Sequence, residues 1–268
     1  MDWPKEKRSL IRVVVMLLIG ITAIMVPVLI QDYEANRDAE EYAALIQQYQ
    51  PEEVDNPTDE TLIPDEDNEA PQPPSSGGGT SGPNFAALQA TNKDFMAWLK
   101  IPGTKINYPV VLTDKVDYYL AHTFSGKESK IGTLFSLGKT DYKSPSQNIA
   151  VYGHNIRGSG QNMFQPLISY KKKSFWENHS QITFDTLYRK GIYKVFAVIN
   201  IRKGDWDPST VDFADEAAFV GFVDRAISQS LFSTGVKVKA SDEILTLITC
   251  DRSYYGADGR LVVMAVKQ

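Results

Sequence analysis

The stretch from Leu10 to Ile30 is 21 residues long and is broken only by Arg12, Gly20, Thr22 and Pro27. Wound as a helix it matches the roughly 30 Å hydrocarbon core of a bilayer. Lys5, Lys7, Arg8 and Arg12 open it, and Asp32, Glu34 and Asp38 come after it. Basic flanks stay on the cytoplasmic side, so the bulk of the chain is expected outside. A cleavable signal peptide is the rival reading, but the apolar run is long for one and no Ala-x-Ala site succeeds it. The expectation is a cytoplasmic N-terminus over residues 1–9 and an uncleaved transmembrane signal anchor over residues 10–30.

Residues 31–84 differ in kind from the remainder of the chain. They hold 14 Asp and Glu against one basic residue, Arg37. Ala35 to Gln50 has the composition of a short helix continuing out of the membrane. Beyond it come Pro51, Pro57, Pro64, Pro71, Pro73 and Pro74, then Ser75-Ser76-Gly77-Gly78-Gly79. Such a segment buries too little apolar surface to fold and reads as an extracellular disordered tether, with a mean reach of about 40 Å as coil. Folding is thereby confined to residues 85–268, which hold all three His, the one Cys and three of the four Trp. This is long enough for one domain with a full core. The net charge divides as +2 over the first 30 residues, −13 over the tether and +6 over the folded part. No stripe of basic and aromatic residues suggests nucleic acid.

Within that part the apolar runs are short, rich in Val, Ile and aromatics, and bounded by Gly, Pro, Asn or Asp. Ile106–Val111, Gly132–Phe135, Asn148–Tyr152, Gln181–Asp185, Gly191–Ile201, Val236–Lys239, Ile244–Cys250 and Leu261–Val266 read as strands. Eight of them at this density predict a mainly β chain closed into a barrel. Phe219, Phe222, Val223, Ala226 and Ile227 recur at helical spacing behind Asp215, the expected cap. Met163, Phe164, Leu167 and Ile168 make a shorter amphipathic turn, and Phe95, Trp98 and Leu99 are expected on a small N-terminal helix.

The lone thiol cannot form an internal disulfide. Cys250 ends the apolar run Thr246-Leu247-Ile248-Thr249, where a strand would stop and present its last side chain to a cleft. A single Cys with a distant His is the pattern of a thiol nucleophile; a buried Cys acting as a small hydrophobe is the alternative. The thiolate needs a cation nearby. His154 stands just past a strand end in Tyr152-Gly153-His154-Asn155, near Gly158 and Gly160, and is best set to reach across a cleft. His179, before a strand, suits a capping role, and His122 the edge of a pocket. Arg260 opens the last apolar strand, and antiparallel pairing of the two strands would bring it beside Cys250. A guanidinium can donate two hydrogen bonds to a carbonyl oxygen turning into an oxyanion. Arg252 lies nearer, with Asp251 beside it to neutralise it. The histidines are scattered and no acidic loop matches a calcium pattern, so no metal or other cofactor is expected.

In this order these residues resemble the sortases, membrane-anchored cysteine transpeptidases of Gram-positive surfaces. Thr246–Cys250 fits the Thr-Leu-x-Thr-Cys signature, with His154 upstream and Arg260 after it. Class B members are resembled in Trp98-Leu99-Lys100-Ile101-Pro102-Gly103-Thr104, Tyr118-Tyr119-Leu120, Gly132-Thr133-Leu134-Phe135, Tyr152-Gly153-His154-Asn155, Asn162-Met163-Phe164 and the helix at Asp215–Ser230. The resemblance runs from about Asp94 to Lys267. It implies an eight-stranded sortase-type barrel in which Cys250 attacks a Thr carbonyl in the C-terminal sorting signal of a secreted protein. His154 would be the acid and base, and Arg260 would hold substrate and oxyanion. The thioacyl group would pass to an amine of a peptidoglycan precursor or of a pilin. Val116, Leu120, Ile248, Thr249 and Asp251 are the implied substrate-binding residues. Class B chains commonly carry Ser where Ile248 stands, and some carry Asn where Val116 stands. Both departures remove polar groups from the motif pocket, so a signal different from the best-known Asn-Pro-x-Thr type is expected. The loop Gly204–Phe213 is expected to form another wall.

A secreted cysteine protease or amidase of another fold is the second reading. Papain-like enzymes place Cys before His, whereas here His comes first and an Arg succeeds the Cys. A non-catalytic surface-binding module is the third, and it predicts that Cys250→Ala leaves function intact.

Overall fold

Eight strands close into one barrel in the order β1-β2-β3-β4-β7-β8-β6-β5. They are β1 (Phe95–Lys100), β2 (Asn107–Thr113), β3 (Leu134–Leu137), β4 (Asn148–Tyr152), β5 (Gln181–Thr186), β6 (Ile192–Arg202), β7 (Ile244–Cys250) and β8 (Gly259–Lys267). The computed structural model describes residues 5–49, 84–156 and 162–268. The β2–β3 and β4–β7 pairs are parallel, and the other neighbours run antiparallel.

Alternation along the strands makes two cores. Leu245 and Leu247 of β7 point inward with Phe95, Leu99, Leu134, Val151 and Val263, filling the barrel. Ile244 and Ile248 of the same strand point outward with Ile199, Val262 and Met264, and pack under the helix α5 (Glu216–Ser228) through Phe219, Phe222 and Val223. The cap is as the spacing predicts: the Asp215 carboxylate accepts the Ala218 N–H at 2.8 Å, worth about 1 kcal/mol. Ile227, at the margin of the apolar stripe, stays exposed. Pro166, Leu167 and Tyr170 bury one side of the 3-10 turn Gln165–Lys171, directly after the buried Met163 and Phe164.

Two segments depart from the sequence reading. Phe95, Trp98 and Leu99 lie on β1, not on a helix; the helix precedes them as α2 (Phe85–Thr91), capped by Asn84. Their i, i+3, i+4 spacing imitates a helix because β1 is buried on both faces, and the Trp98 indole is held by Asn107 Oδ1 at 2.7 Å. Val236–Lys239 alternates like a strand yet joins no ladder among the described residues. Val236 and Val238 pack against the outer core. The barrel thus keeps eight strands by gaining β1 and losing this segment.

At the N-terminus a continuous helix, α1, covers Lys5–Tyr49. Its section Arg12–Ile30 is long and apolar enough to cross a membrane, as an anchor or as a signal sequence would. Residues 50–83, most of the expected tether, lie outside the described residues, as do Gly158 and Gly160.

Candidate active site

Cys250 is the last residue of β7 and pairs with Arg260 of β8 across the antiparallel ladder. Cα atoms so paired lie about 4.5–5.5 Å apart with side chains on one face. By strand alternation that face is the outer one, shared with Ile248 and Val262. The return between the strands is short. The Asp251 carboxylate caps the helical turn Arg252–Tyr255 by accepting the Ser253 N–H at 3.1 Å. The Asp251 N–H donates to Gly259 O at 2.9 Å. A Cβ at position 259 would collide with the Asp251 carbonyl, so only glycine lets the two strands approach here.

His154 is set by β4, which lies parallel beside β7. Three bonds clamp the two strand ends together. The Gly153 N–H donates to Ile248 O at 3.2 Å, Thr249 Oγ1 donates to Gly153 O at 2.7 Å, and Asn155 Nδ2 donates to Cys250 O at 2.7 Å. The His154 carbonyl accepts the Phe164 N–H at 2.9 Å. Its ring nitrogen Nε2 meets Leu120 O at 3.0 Å. A carbonyl oxygen only accepts, so Nε2 carries a hydrogen and Nδ1 remains for proton traffic.

Cys250, His154 and Arg260 border one cleft of about 570 Å³, within the range of ligand pockets. Its floor is apolar: Leu120 and Val116 from the helix α3 (Val116–Ala121), Phe135 of β3, Tyr152 of β4, Ile201 of β6 and Ile248 of β7. Thr249 also lines it. Of the residues singled out from the sequence, His154, Cys250, Arg260, Val116, Leu120, Ile248 and Thr249 therefore meet at this cleft. Asp251 does not line it. Its carboxylate is 4% exposed and pairs with Lys171 of the 3-10 turn, whose Nζ also donates to Ser253 Oγ at 2.7 Å. Burial alone would raise the Asp251 pKa, but the Lys171 ammonium and the Ser253 bonds outweigh it and hold the carboxyl below its ordinary value. The cation that neutralises Asp251 is Lys171, from 80 residues upstream, and not its neighbour Arg252.

The remaining wall comes from Lys203, Gly204, Trp206, Asp207 and Pro208. This is the wall expected of the loop Gly204–Phe213, and its anchors are distant in the chain. Asn148, fully buried on β4, donates from Nδ2 to Pro208 O (3.0 Å) and Thr210 O (2.8 Å) and accepts Thr246 Oγ1 (2.7 Å). Trp206 packs on Phe222 of α5 with ring centroids 4.9 Å apart, and the Arg225 guanidinium lies over the Trp206 ring at 5.5 Å. Tyr152, stacked on Phe135 at 5.4 Å, has its hydroxyl pKa raised by burial; Asp207 pushes the same way, against Ser209 and Arg260.

The other two histidines are engaged elsewhere. His179 caps α4 (Lys173–Asn178), with Nδ1 2.9 Å from Phe175 O and the ring stacked on Phe175. His122 stacks on Tyr118 at 3.9 Å and contacts Tyr118 O through Nδ1.

Comparison with known proteins agrees with this arrangement. The Sortase domain family model matches residues 99–268. Sortase B of Staphylococcus aureus is 33% identical over 184 residues, covering 68% of this chain and 74% of that protein. Sortase B of Listeria monocytogenes is 30% identical over 176 residues, covering 66% and 70%. Among solved structures, a Staphylococcus aureus sortase B–substrate complex superposes with a TM-score of 0.63 at 31% identity, covering 69% of this chain and 84% of that one. A sortase B complexed with triglycine gives 0.63 at 32%, covering 69% and 85%. The eight-stranded barrel, the family match and these relatives together make the chain a member of the sortase family of cysteine transpeptidases, most like its class B.

Proposed function

We propose that the chain is a membrane-anchored enzyme that cleaves the C-terminal sorting motif of secreted proteins after Thr and transfers the acyl group to an amine of a peptidoglycan precursor or a pilin. The observation that carries this reading is the shared cleft of Cys250, His154 and Arg260. Two solved relatives, one in complex with a substrate and one with triglycine, support a peptide donor and an amine acceptor.

In this mechanism the Cys250 thiolate attacks the Thr carbonyl carbon and an S–C bond forms. Negative charge gathers on the carbonyl oxygen, where Arg260 donates hydrogen bonds. Among the described residues the Arg260 bonds to Ala257 O at 3.0 Å and Gly259 O at 2.8 Å both come from Nη1. Nη2 and Nε are the donors left for substrate. The C–N bond breaks as protonated His154 gives its Nδ1 proton to the leaving amine. The acceptor amine then attacks the thioester, His154 takes its proton, and the C–S bond breaks to restore the thiolate.

Val116, Leu120, Ile248 and Thr249 bind the residues preceding Thr. With Val116 and Ile248 apolar, the preferred signal differs from the Asn-Pro-x-Thr type. Arg12–Ile30 stays uncleaved as a single-pass anchor, with the N-terminus cytoplasmic and the barrel outside.

The test is a library of sorting-type peptides offered to the full chain in nanodiscs with triglycine as amine. Chromatography should resolve an amide joining Thr to triglycine, lost in Cys250→Ala. A product retained in Cys250→Ala would remove the thiol from the mechanism. Full activity on Asn-Pro-x-Thr peptides would refute the altered specificity.

A further inference from the structure

The end of the N-terminal helix is not free of the barrel. Tyr42, on the part of α1 that continues past the apolar section, is 3% exposed although it lies outside the catalytic domain in sequence. Its hydroxyl enters a polar socket formed by the connection between α3 and β3. It donates to Gly132 O at 3.0 Å, meets Thr133 Oγ1 at 2.8 Å, and accepts the Phe124 N–H at 2.9 Å. Its ring stands edge-on to Tyr108 at 5.8 Å. A lone ring on a surface helix would not collect three polar partners and an aromatic wall from so far along the chain, the hydrogen-bond partners being 82 to 91 residues away.

The socket lies directly behind the histidine side of the cleft. Gly132 has φ +64°, and a Cβ there would meet Tyr119 O at 2.7 Å, Leu120 O at 3.0 Å and His154 Cδ2 at 3.2 Å. The Thr133 N–H donates to Tyr119 O at 2.8 Å. The carbonyl of Leu120 is the one that receives His154 Nε2. Tyr42 therefore clamps the backbone that packs on the imidazole and orients it.

We propose that Tyr42 is a positioning residue that docks the catalytic barrel on its own juxtamembrane helix, fixing both the height of the cleft above the bilayer and the seat of His154. From Ile30, the end of the apolar section, to Tyr42 is twelve residues, about 18 Å of helix. The socket is then held roughly that far beyond the hydrocarbon edge, nearer than the mean reach of about 40 Å given by a 54-residue coil. A membrane-anchored enzyme that meets its substrates at the bilayer surface gains encounter rate from a cleft kept at one height. The proposal rests on the membrane-anchored reading for its setting, but docking is measured without any turnover.

The experiment uses the full chain in nanodiscs. Cys250 is the one thiol, so a donor fluorophore on it reports the distance of the cleft from acceptor-labelled lipid. Inserting about twenty Gly and Ser residues after Gln72 lengthens any free tether measurably. The expected result is unchanged energy transfer on insertion in the parent chain, and a clear fall on the same insertion in Tyr42→Ala. Tyr42→Phe, which keeps the ring, should lie between them, since losing the hydroxyl's bonds lowers the docking constant about tenfold. In the unlabelled chain, Tyr42→Ala should lower kcat about fivefold to tenfold for a sorting peptide with KM nearly constant, because the imidazole and not the peptide groove loses support; Tyr42→Phe should recover part of it. Energy transfer that drops on insertion in the parent chain, or that ignores Tyr42→Ala, overturns the docking. An unchanged kcat in Tyr42→Ala overturns the positioning role. If the parent chain forms no acyl product with any peptide, the transpeptidase reading fails while the energy-transfer result still stands.

Discussion

Asn148 holds the far wall of the cleft to the catalytic strand, and its removal should be felt in both stability and binding. In Asn148→Ala three partners lose their bond at once: the Pro208 and Thr210 carbonyls and the Thr246 hydroxyl. Asn148 and Thr246 are both fully buried, so water does not simply replace the amide. Each orphaned buried group costs about 1–3 kcal/mol, and partial rehydration of the loop carbonyls puts the total near the lower half of the summed range, about 3–5 kcal/mol. For a domain of this size about 1 kcal/mol moves Tm by roughly 2–4 °C, so a fall of about 6–20 °C is expected. The assay is thermal unfolding by circular dichroism of the full chain in detergent. A double-mutant cycle with Thr246→Val isolates the side-chain pair, with a coupling of about 1 kcal/mol or more. At temperatures where the variant is folded, KM for the sorting peptide should rise severalfold while kcat changes less, since Trp206 and Pro208 line the groove and Cys250 does not depend on them. A stability loss under about 0.5 kcal/mol would refute the claim that Asn148 is the tie.

Neighbouring contacts carry consequences of their own. Arg260→Ala should lower kcat/KM by about 10²–10³, the loss typical of an oxyanion donor, with Arg260→Lys recovering little because a single ammonium cannot fork; steady-state kinetics reads this. Asp251 is held below its ordinary carboxyl pKa by Lys171 and Ser253, so its stabilising contribution is present above the unfolded pKa near 4 and is lost as pH falls through the lower folded value. Asp251→Asn should therefore destabilise at pH 7 and leave a flatter acid limb in urea midpoints taken between about pH 6 and pH 2.5. Gly259→Ala should destabilise by more than about 2 kcal/mol, because the new methyl meets the Asp251 backbone carbonyl; denaturant unfolding checks it.

The sequence was most legible where one physical signal acted alone. Asn148–Tyr152 and Ile244–Cys250 are short, apolar and bounded by polar residues, and both bounds coincide with β4 and β7. The α5 stripe and its Asp215 cap were readable because helix period and capping chemistry agree. β1 is hidden in the sequence because burial on both faces erases alternation, so Phe95, Trp98 and Leu99 leave only a helical spacing. Val236–Lys239 failed in the opposite way. Its alternation is real, but it reflects packing against the outer core and not ladder bonding. At the site, Cys250 and Arg260 followed from antiparallel pairing of adjacent strands, a local inference. His154 followed from residue type and a strand end. Lys171 as the partner of Asp251, Asn148 as the tie to the Trp206 loop, and Tyr42 in its socket are joined across 60 to 91 residues. Pairings at that separation depend on the closed topology, which no local pattern encodes.

The most direct test is intact-mass measurement of the full chain after a short exposure to sorting-type peptides without an amine acceptor. A mass increase equal to the acyl fragment ending in Thr, mapped to Cys250 and discharged by added triglycine, is the predicted result, with the adduct absent in Cys250→Ala and greatly slowed in His154→Ala and Arg260→Ala. An adduct on another residue, or full-rate acylation of Cys250 without His154 or Arg260, would contradict the account.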